Sequence, residues 1–540
     1  MTRRDLLLLF LLGLAVPLVF AQFQSLPGYM DADYYFGGGL QLVNGHGFNE
    51  PYLWNYLADP QSVPTPSHAY WLPLASIVAA LGMRLTGQST FAAARIGFIL
   101  LAALVPPLTS LLAFRFTANR VSSLLSGLLA CFPIFYAPFL PVTDNYAIYM
   151  LLGISFFLLL SFLNPLNADY KSLINFFLLG VTSALAALAR SDGLLWLGLS
   201  FLVAIWFAGA QVKTEYAIRN TQHASPNSHP LSPIPRLLLP AFCVLIGFLL
   251  LISPWYARNL RTFGSLMAPG GSHALWLTSY NDTFAFPASQ LTMQSWLASG
   301  WDVILQARLN ALGINLLNAF GAQGGIFLFP FILVGLWIFR RDPSIRLAAL
   351  AWILLLVAMT VVFPFAGPRG AFFHSGAALQ SIWWILAPVG LDALIAVIRE
   401  RGQLDDRAYA IFRGALVGVS VLMTVVVFAM RILPGWERED GQYAQVETFL
   451  VEHGAKSDAI VIARNPPGYH IVSGRTAIAI PTNGIPSVLA VAAQYDAHYL
   501  ILEPEGASGQ LRELYNNPYL SPAFIYLGET DGNRVYEIVR

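Results

Sequence analysis

The chain of 540 residues is short of charge and of cysteine, and both shortages narrow its class. Charged residues make up 11% of it, against about 25% in a soluble domain. With 56% hydrophobic residues and a mean hydropathy of +0.60, the sequence reads as a polytopic membrane protein. A net charge of +1 with scattered basic residues gives no surface for nucleic acid. The two cysteines, Cys131 and Cys243, both fall in apolar stretches. They read as small core or lipid-facing residues, which excludes a disulfide framework and a cysteine metal site. No internal repeat is visible, and ionisable groups are scarce inside the apolar stretches. Both absences weigh against the main competing class, a transporter or lipid flippase.

What the sequence does hold is a series of apolar stretches. The first follows Arg3 and Arg4 and ends in Val19-Phe20-Ala21. That pattern also describes a secretory leader, but an uncleaved first helix is preferred. Others lie at 92–114, 121–139, 145–163, 172–189, 193–209, 237–253, 319–339, 347–365, 375–397 and 411–432. The stretch at 70–86 is short, carries Pro73, and either crosses the membrane or lies at its outer interface. If it stays at the interface, Arg115, Arg120, Lys171, Lys213, Arg219, Arg236, Arg340, Arg341, Arg346, Arg399, Arg401, Arg407 and Arg413 all face the cytoplasm. The positive-inside rule therefore favours about eleven crossings, with the N-terminus inside and the C-terminus outside. A Ser/Pro-rich stretch at 210–236 reads as a cytoplasmic linker in which His223 and His229 are solvated loop residues.

This topology gathers the polar material outside: the opening loop at 23–91, the PVTDNY turn at 141–146, the long segment 254–318 and the tail from 433. The opening loop concentrates Asp31, Asp33, His46, Glu50, Asp59 and His68 among aromatics that suit an interfacial belt or sugar stacking. A non-catalytic scaffold would leave that concentration unexplained. In the tail, helical and β-rich runs alternate, which predicts a small α/β domain with a partly parallel sheet of about four or five strands. Its Asn465-Pro466-Pro467-Gly468 reads as a loop without a phosphate-binding glycine pattern. The domains expected are thus a membrane catalytic domain, 1–432, and an extracytoplasmic α/β domain, 433–540.

Met30-Asp31-Ala32-Asp33-Tyr34-Tyr35, just after the first apolar stretch, resembles the acidic motif of the GT-C class of membrane glycosyltransferases. NGHGF at 44–48, SHAYWLPL at 67–74, FAAARIG at 91–97, VTDNYAIYMLLG at 142–153, ALARSDGLLWL at 187–197, SPWYARNLRTFGS at 253–265 and NPPGYHIVSGRTAIAIP at 465–481 extend the likeness. Order and spacing carry it, since each motif is short. It is similar to the aminoarabinose transferases of lipid A and the protein O-mannosyltransferases. The resemblance implies an enzyme that moves one sugar, with inversion, from a polyprenyl-phosphate donor to an acceptor hydroxyl on a glycan, lipid or protein. The reaction would take place at the outer face of a bacterial plasma membrane, and the acidic residue after the first helix would be the general base. Asp31 and Tyr35 match the motif's aspartate and tyrosine, but Ala32 replaces its adjacent acid and Asp33 is added, so the role lies between Asp31 and Asp33.

A sugar hydroxyl attacks well only when a carboxylate takes its proton, and one ionised carboxylate suffices when the leaving group is a phosphate. Two carboxylates at i and i+2 point different ways on a helix or strand, which favours one of them, Asp31. The departing phosphate needs positive charge near the outer interface. Arg258 and Arg261 are the first candidates, then Arg369, then His68; against each stands a structural role, such as snorkelling or a satisfied loop histidine. Asp144 looks like the acid that related enzymes carry in the second outer loop, there to orient the acceptor or a cation, and it also suits a helix N-cap. Arg190 and Asp192 read as a pair. Asp31, Asp33, Asp144 and His68 could converge on a divalent cation, although their spacing forms no compact ligand motif and no cofactor is certain.

Overall fold

The computed structural model describes residues 1–164, 170–221, 233–400 and 405–539. Among these, eight helices are long and apolar enough to span a bilayer: Arg3–Ala21, Phe91–Thr117, Tyr170–Ala189, Ser191–Gln211, Leu238–Phe263, Pro343–Val362, Gly367–Glu400 and Arg407–Glu452. A ninth comes from Trp301–Gln323 and Ile326–Ile338, which meet at 87°. The chain is a multi-pass membrane protein. His223, His229 and Arg401 lie outside the described residues, as do 222–232 of the expected linker.

Three of the apolar stretches differ from expectation. The one at 121–139 is helical only over Arg120–Cys131, because Pro133 follows directly, and its 12 residues reach about 18 Å, short of the hydrocarbon thickness. Tyr146–Ser161 is also shorter than a full span. The stretch at 319–339 is broken at Gly324-Gly325, where Gly325 adopts a left-handed φ of +58°. Within 254–318, the helix Pro233–Phe263 runs on to residue 263 and Trp301–Asn318 forms a further helix, so the irregular part is 264–300. Leu305, Leu309 and Leu317 on that further helix are exposed, as expected of a surface facing lipid.

The acidic motif opens the helix Met30–Val43. Gly37, Gly38 and Gly39 let this helix press against the Leu74–Thr86 helix and the loop beyond. A Cβ on Gly38 would lie 2.5 Å from the Ser76 hydroxyl, and one on Gly37 equally close to that of Tyr52. A buried core of apolar side chains links this helix to the membrane bundle, with Tyr34, Tyr35 and Phe36 packing together with Phe98, Tyr149 and Trp384.

The tail forms one mixed sheet. Its strands run in the order Tyr52–Leu53, Ala477–Ala479, Ile460–Ala463, Ala497–Leu502, Asn533–Ile538, Phe524–Thr530. The first four are parallel and the last two antiparallel. The tail supplies five strands, as the alternation predicts; the sixth comes from the opening loop. Asn465-Pro466-Pro467-Gly468, expected to be a loop, instead starts the helix Pro466–Ser473. The Asn465 side chain accepts from the Gly468 N–H at 3.1 Å, and proline suits the first helical position because its missing N–H would have no partner there.

Candidate active site

Asp31 and Asp33 both sit in the first turn of Met30–Val43, where the helix dipole favours negative charge. Two residues apart on a helix, they face different surroundings. Asp31 keeps 33% of its side chain exposed. Asp33 is buried and accepts a 3.0 Å hydrogen bond from the Asn465 amide of the tail.

The Asp31 carboxylate faces a buried pair contributed by two other parts of the chain. His374 Nε2 lies 3.9 Å from Asp31 and 3.0 Å from Asp144. Asp144 also accepts from the Tyr29 hydroxyl at 2.6 Å and from the Asn145 N–H at 2.6 Å. Tyr146 stacks on the His374 ring at 4.0 Å. The turn before Tyr146 is tied to the acidic helix by Thr143, whose hydroxyl donates to the Ala32 carbonyl at 2.7 Å, and by Asn145, whose amide donates to the Tyr35 hydroxyl at 2.8 Å.

His374 owes its place to a break in its helix. Gly370 takes φ +112°, and the Gln323 amide donates to the Phe372 carbonyl at 3.0 Å. His374 Nδ1 sits 2.9 Å from the Gly370 carbonyl, a contact that turns Nε2 toward the two carboxylates. No sequence reasoning singled out His374. Its signal was a lone histidine after Pro368, Arg369 and Gly370 at the outer end of an apolar run.

The electrostatics separate the three acids. Burial and the neighbouring Asp144 charge push Asp31 up to about 6, while His374 and Arg190 pull the other way. For Asp144, burial raises the pKa, but His374 and the hydrogen bonds from Tyr29 and Asn145 outweigh it, so the group is held below its ordinary value. Asp33 is driven well above the carboxylate range, first by burial and then by Asp440. It lies between the acidic helix and the tail, and the structure does not bring it to the Asp31 group.

The expected phosphate binders also divide. His68 is fully buried between the Ser67 hydroxyl at 2.7 Å and the Ser76 hydroxyl at 3.1 Å. Burial, helped by Arg258, pushes its pKa down to about 3, so it stays uncharged. Arg258 donates to the carbonyls of Phe48 at 3.2 Å and Ser67 at 2.8 Å, stapling the opening loop to a helix end. Both side chains are thus engaged by backbone, amide and hydroxyl partners in this structure. Arg261 is exposed and makes no ion pair among the described residues. Arg369 is exposed over the Tyr280 ring at 4.3 Å, in the helix break that also places His374. Arg190 donates to Asp192 at 2.8 Å, as the sequence suggested, and also reaches the Ala371 carbonyl at 3.4 Å. It lies close enough to Asp31 to favour its ionised form. Tyr70, another electrostatic neighbour of Asp31, lines a shallow, open, mainly apolar cleft with Leu277, Phe363 and Phe365.

This combination of a membrane bundle, an acidic helix after the first span and an α/β tail is the GT-C-like fold that the sequence predicts. No protein-family profile matches the chain, and no curated protein matches it by sequence. Solved structures do. ArnT from Cupriavidus metallidurans bound to undecaprenyl phosphate superposes with a TM-score of 0.58 at 14% identity, over 99% of this chain and 98% of that one. ArnT from the same organism in the apo state gives 0.53 at 14% identity, over 98% and 97%. The oligosaccharyltransferase of Archaeoglobus fulgidus, tethered to an acceptor peptide with the NVT sequon, gives 0.51 at 14%, over 99% of this chain and 74% of that one. At such identities the likeness is one of fold.

Proposed function

We propose that the chain is an inverting glycosyltransferase that moves one sugar from a polyprenyl-phosphate donor to an acceptor hydroxyl at the outer face of the plasma membrane, with Asp31 as general base. The observation that carries this reading is the partly exposed Asp31 set against the buried Asp144–His374 pair. The undecaprenyl phosphate bound to ArnT, which shares the fold, supports the donor class.

In the step proposed, the acceptor hydroxyl oxygen attacks the anomeric carbon and the Asp31 carboxylate takes its proton. The bond from that carbon to the phosphate oxygen breaks, and its electron pair leaves with the polyprenyl phosphate. A base with a pKa near 6 is ionised at neutral pH yet basic enough to accept the proton. Arg190, which acts on Asp31 electrostatically, and Arg369, in the helix break that places His374, would hold the leaving phosphate. Asp144 keeps His374 oriented. The membrane domain, 1–432, carries these groups, and the extracytoplasmic domain, 433–540, covers them with the N-terminus of the chain inside.

A divalent cation fits the same place. Asp31, Asp144 and His374 each offer one ligand atom, all within 4.8 Å of one another. With an ion bound, the Gly370 carbonyl would accept the Nδ1 hydrogen, and Nε2, which otherwise faces Asp144 at 3.0 Å, would be the ligand atom. Such a donor set suits Mg²⁺, Mn²⁺ or Zn²⁺, and a bound ion would neutralise the donor's phosphate.

The test is transfer of labelled sugar by purified protein from a pool of polyprenyl-phosphate sugars to extracted envelope acceptors. Wild type should transfer and Asp31→Asn should lose at least about 100-fold. Equal transfer by both would remove Asp31 from the chemistry, and no transfer from any donor would discard the enzyme class.

A further inference from the structure

Asp31 lies on the first turn of a helix whose opposite side is held by the tail, and the holding is done by polar contacts rather than by packing alone. The Asn465 amide nitrogen donates both to Asp33, at 3.0 Å, and to Glu439, at 3.2 Å. The Asn465 backbone N–H donates to the Tyr443 hydroxyl at 3.1 Å, and that hydroxyl donates to Glu503 at 2.8 Å. A Cβ on Gly468 would come within 2.9 Å of the Asp33 carboxyl, so only a glycine lets the tail helix come this close. Just upstream, Glu437 accepts from the Ser25 N–H at 2.6 Å and the Ser25 hydroxyl at 2.7 Å, while the Trp436 indole donates to the Leu26 carbonyl at 3.0 Å. The tail therefore grips the acidic segment on both sides of Asp31.

Asp33 Oδ1 has no hydrogen-bond partner among the described residues. Among the described residues, its carboxyl is hydrogen-bonded by Asn465 alone. A buried carboxyl so placed is costly unless its contact does something, since an unsatisfied buried polar atom is destabilising. Because Asp31 and Asp33 differ by about 200° around the helix, the roll of the helix that sets Asn465 against Asp33 also sets Asp31 against His374.

We infer that Asn465 and Asp33 are positioning residues: their amide–carboxyl contact fixes the rotation of the Met30–Val43 helix and so aims Asp31 at the acceptor hydroxyl. The α/β tail is then part of the catalytic alignment. This inference rests on Asp31 being the base.

The experiment is an exchange of the two groups in the full-length protein. Asn465→Asp keeps a side-chain oxygen to cap Gly468 but removes the amide and puts a third carboxyl beside Asp33 and Glu439. It should lower kcat by about 10- to 100-fold with donor KM within about twofold, since a misplaced base slows the chemistry and not the binding. Asp33→Asn added to Asn465→Asp returns one amide and one carboxyl to the contact and should restore kcat to within about fivefold of wild type. Thermal unfolding of each purified protein shows whether it is folded, and the same pair should be non-additive there. A wild-type rate in Asn465→Asp, or a folded exchanged protein that stays slow, overturns the inference. If Asp31→Asn transfers sugar at the wild-type rate, the reading of the base fails instead, and the positioning role with it. If Asp31→Asn is inactive and the exchange fails to rescue, only the positioning role is lost.

Discussion

Replacing Asp144 by Asn removes one charge beside the proposed base and nearly preserves shape. The facing carboxylate oxygens of Asp31 and Asp144 lie within 4.8 Å of one another. At an effective dielectric of about 20, two unit charges at that distance repel by about 3.5 kcal/mol, or roughly 2.5 pK units. Water reaches the exposed third of Asp31 and screens part of this. We expect the Asp31 pKa to fall by on the order of 1 to 2 units from about 6. A base works when ionised, so the rate is lost as pH falls through its pKa. In Asp144→Asn the acid limb of kcat/KM for sugar transfer should therefore move to lower pH, toward about 4 to 5, whatever the plateau rate. The assay is a pH series of initial transfer rates with both proteins in the same lipid. An acid limb that stays near pH 6, or moves up, would show that the limb does not report Asp31 under the field of an ionised Asp144.

Glu50 is buried and pushed up to about 8, first by burial. Between about pH 4.5 and 8 the folded protein holds a proton that the unfolded chain has released, so stability falls as pH rises through that window. Glu50→Gln should remove this slope, and its melting temperature relative to wild type should climb from pH 5 to pH 8; a constant difference would refute the assignment. His374→Gln should weaken Mn²⁺ binding to the purified protein by at least about 10-fold in calorimetry, and equal binding would rule out the Asp31, Asp144 and His374 set. A Cβ on Gly153 would come within 1.8 Å of the Ala378 carbonyl. Gly153→Ala should therefore destabilise the protein by about 1–3 kcal/mol or more, read as a lower melting temperature and poorer recovery of folded protein; unchanged melting would mean that the two helices separate freely.

The fold was legible because hydropathy and the alternation in the tail are local signals. The long apolar spans and the tail's α/β alternation follow from short stretches of sequence, whereas the helix Met30–Val43 lies in what reads as a loop. What escaped depends on contacts made across long separations. His374 meets Asp31 only because a helix break and Gln323 turn it inward, and neither is visible in a run of apolar residues. Asp33 looked equivalent to Asp31 until the tail covered it. His68, in the opening loop, and Arg258, at a helix end, meet carbonyl and hydroxyl partners of that loop, contacts that no short stretch of sequence displays. The bend at Gly324-Gly325 was hidden because hydropathy measures composition along the chain and is blind to direction.

The strand Tyr52–Leu53 has a consequence for how the protein is made. It pairs with Ala477–Ala479, more than four hundred residues later, and brings Leu53 and Tyr56 into the interior of the tail's core. The ribosome delivers this edge long before its partner, so the sheet can close only after the membrane helices between them have been made. Non-local pairing of this kind is slow. A tail released alone would carry an open parallel edge, ready to pair with another chain, and a gap where Leu53 and Tyr56 belong. Closure of the sheet is thus a late check on assembly: it succeeds only when the first loop has reached the same side of the membrane as the last domain.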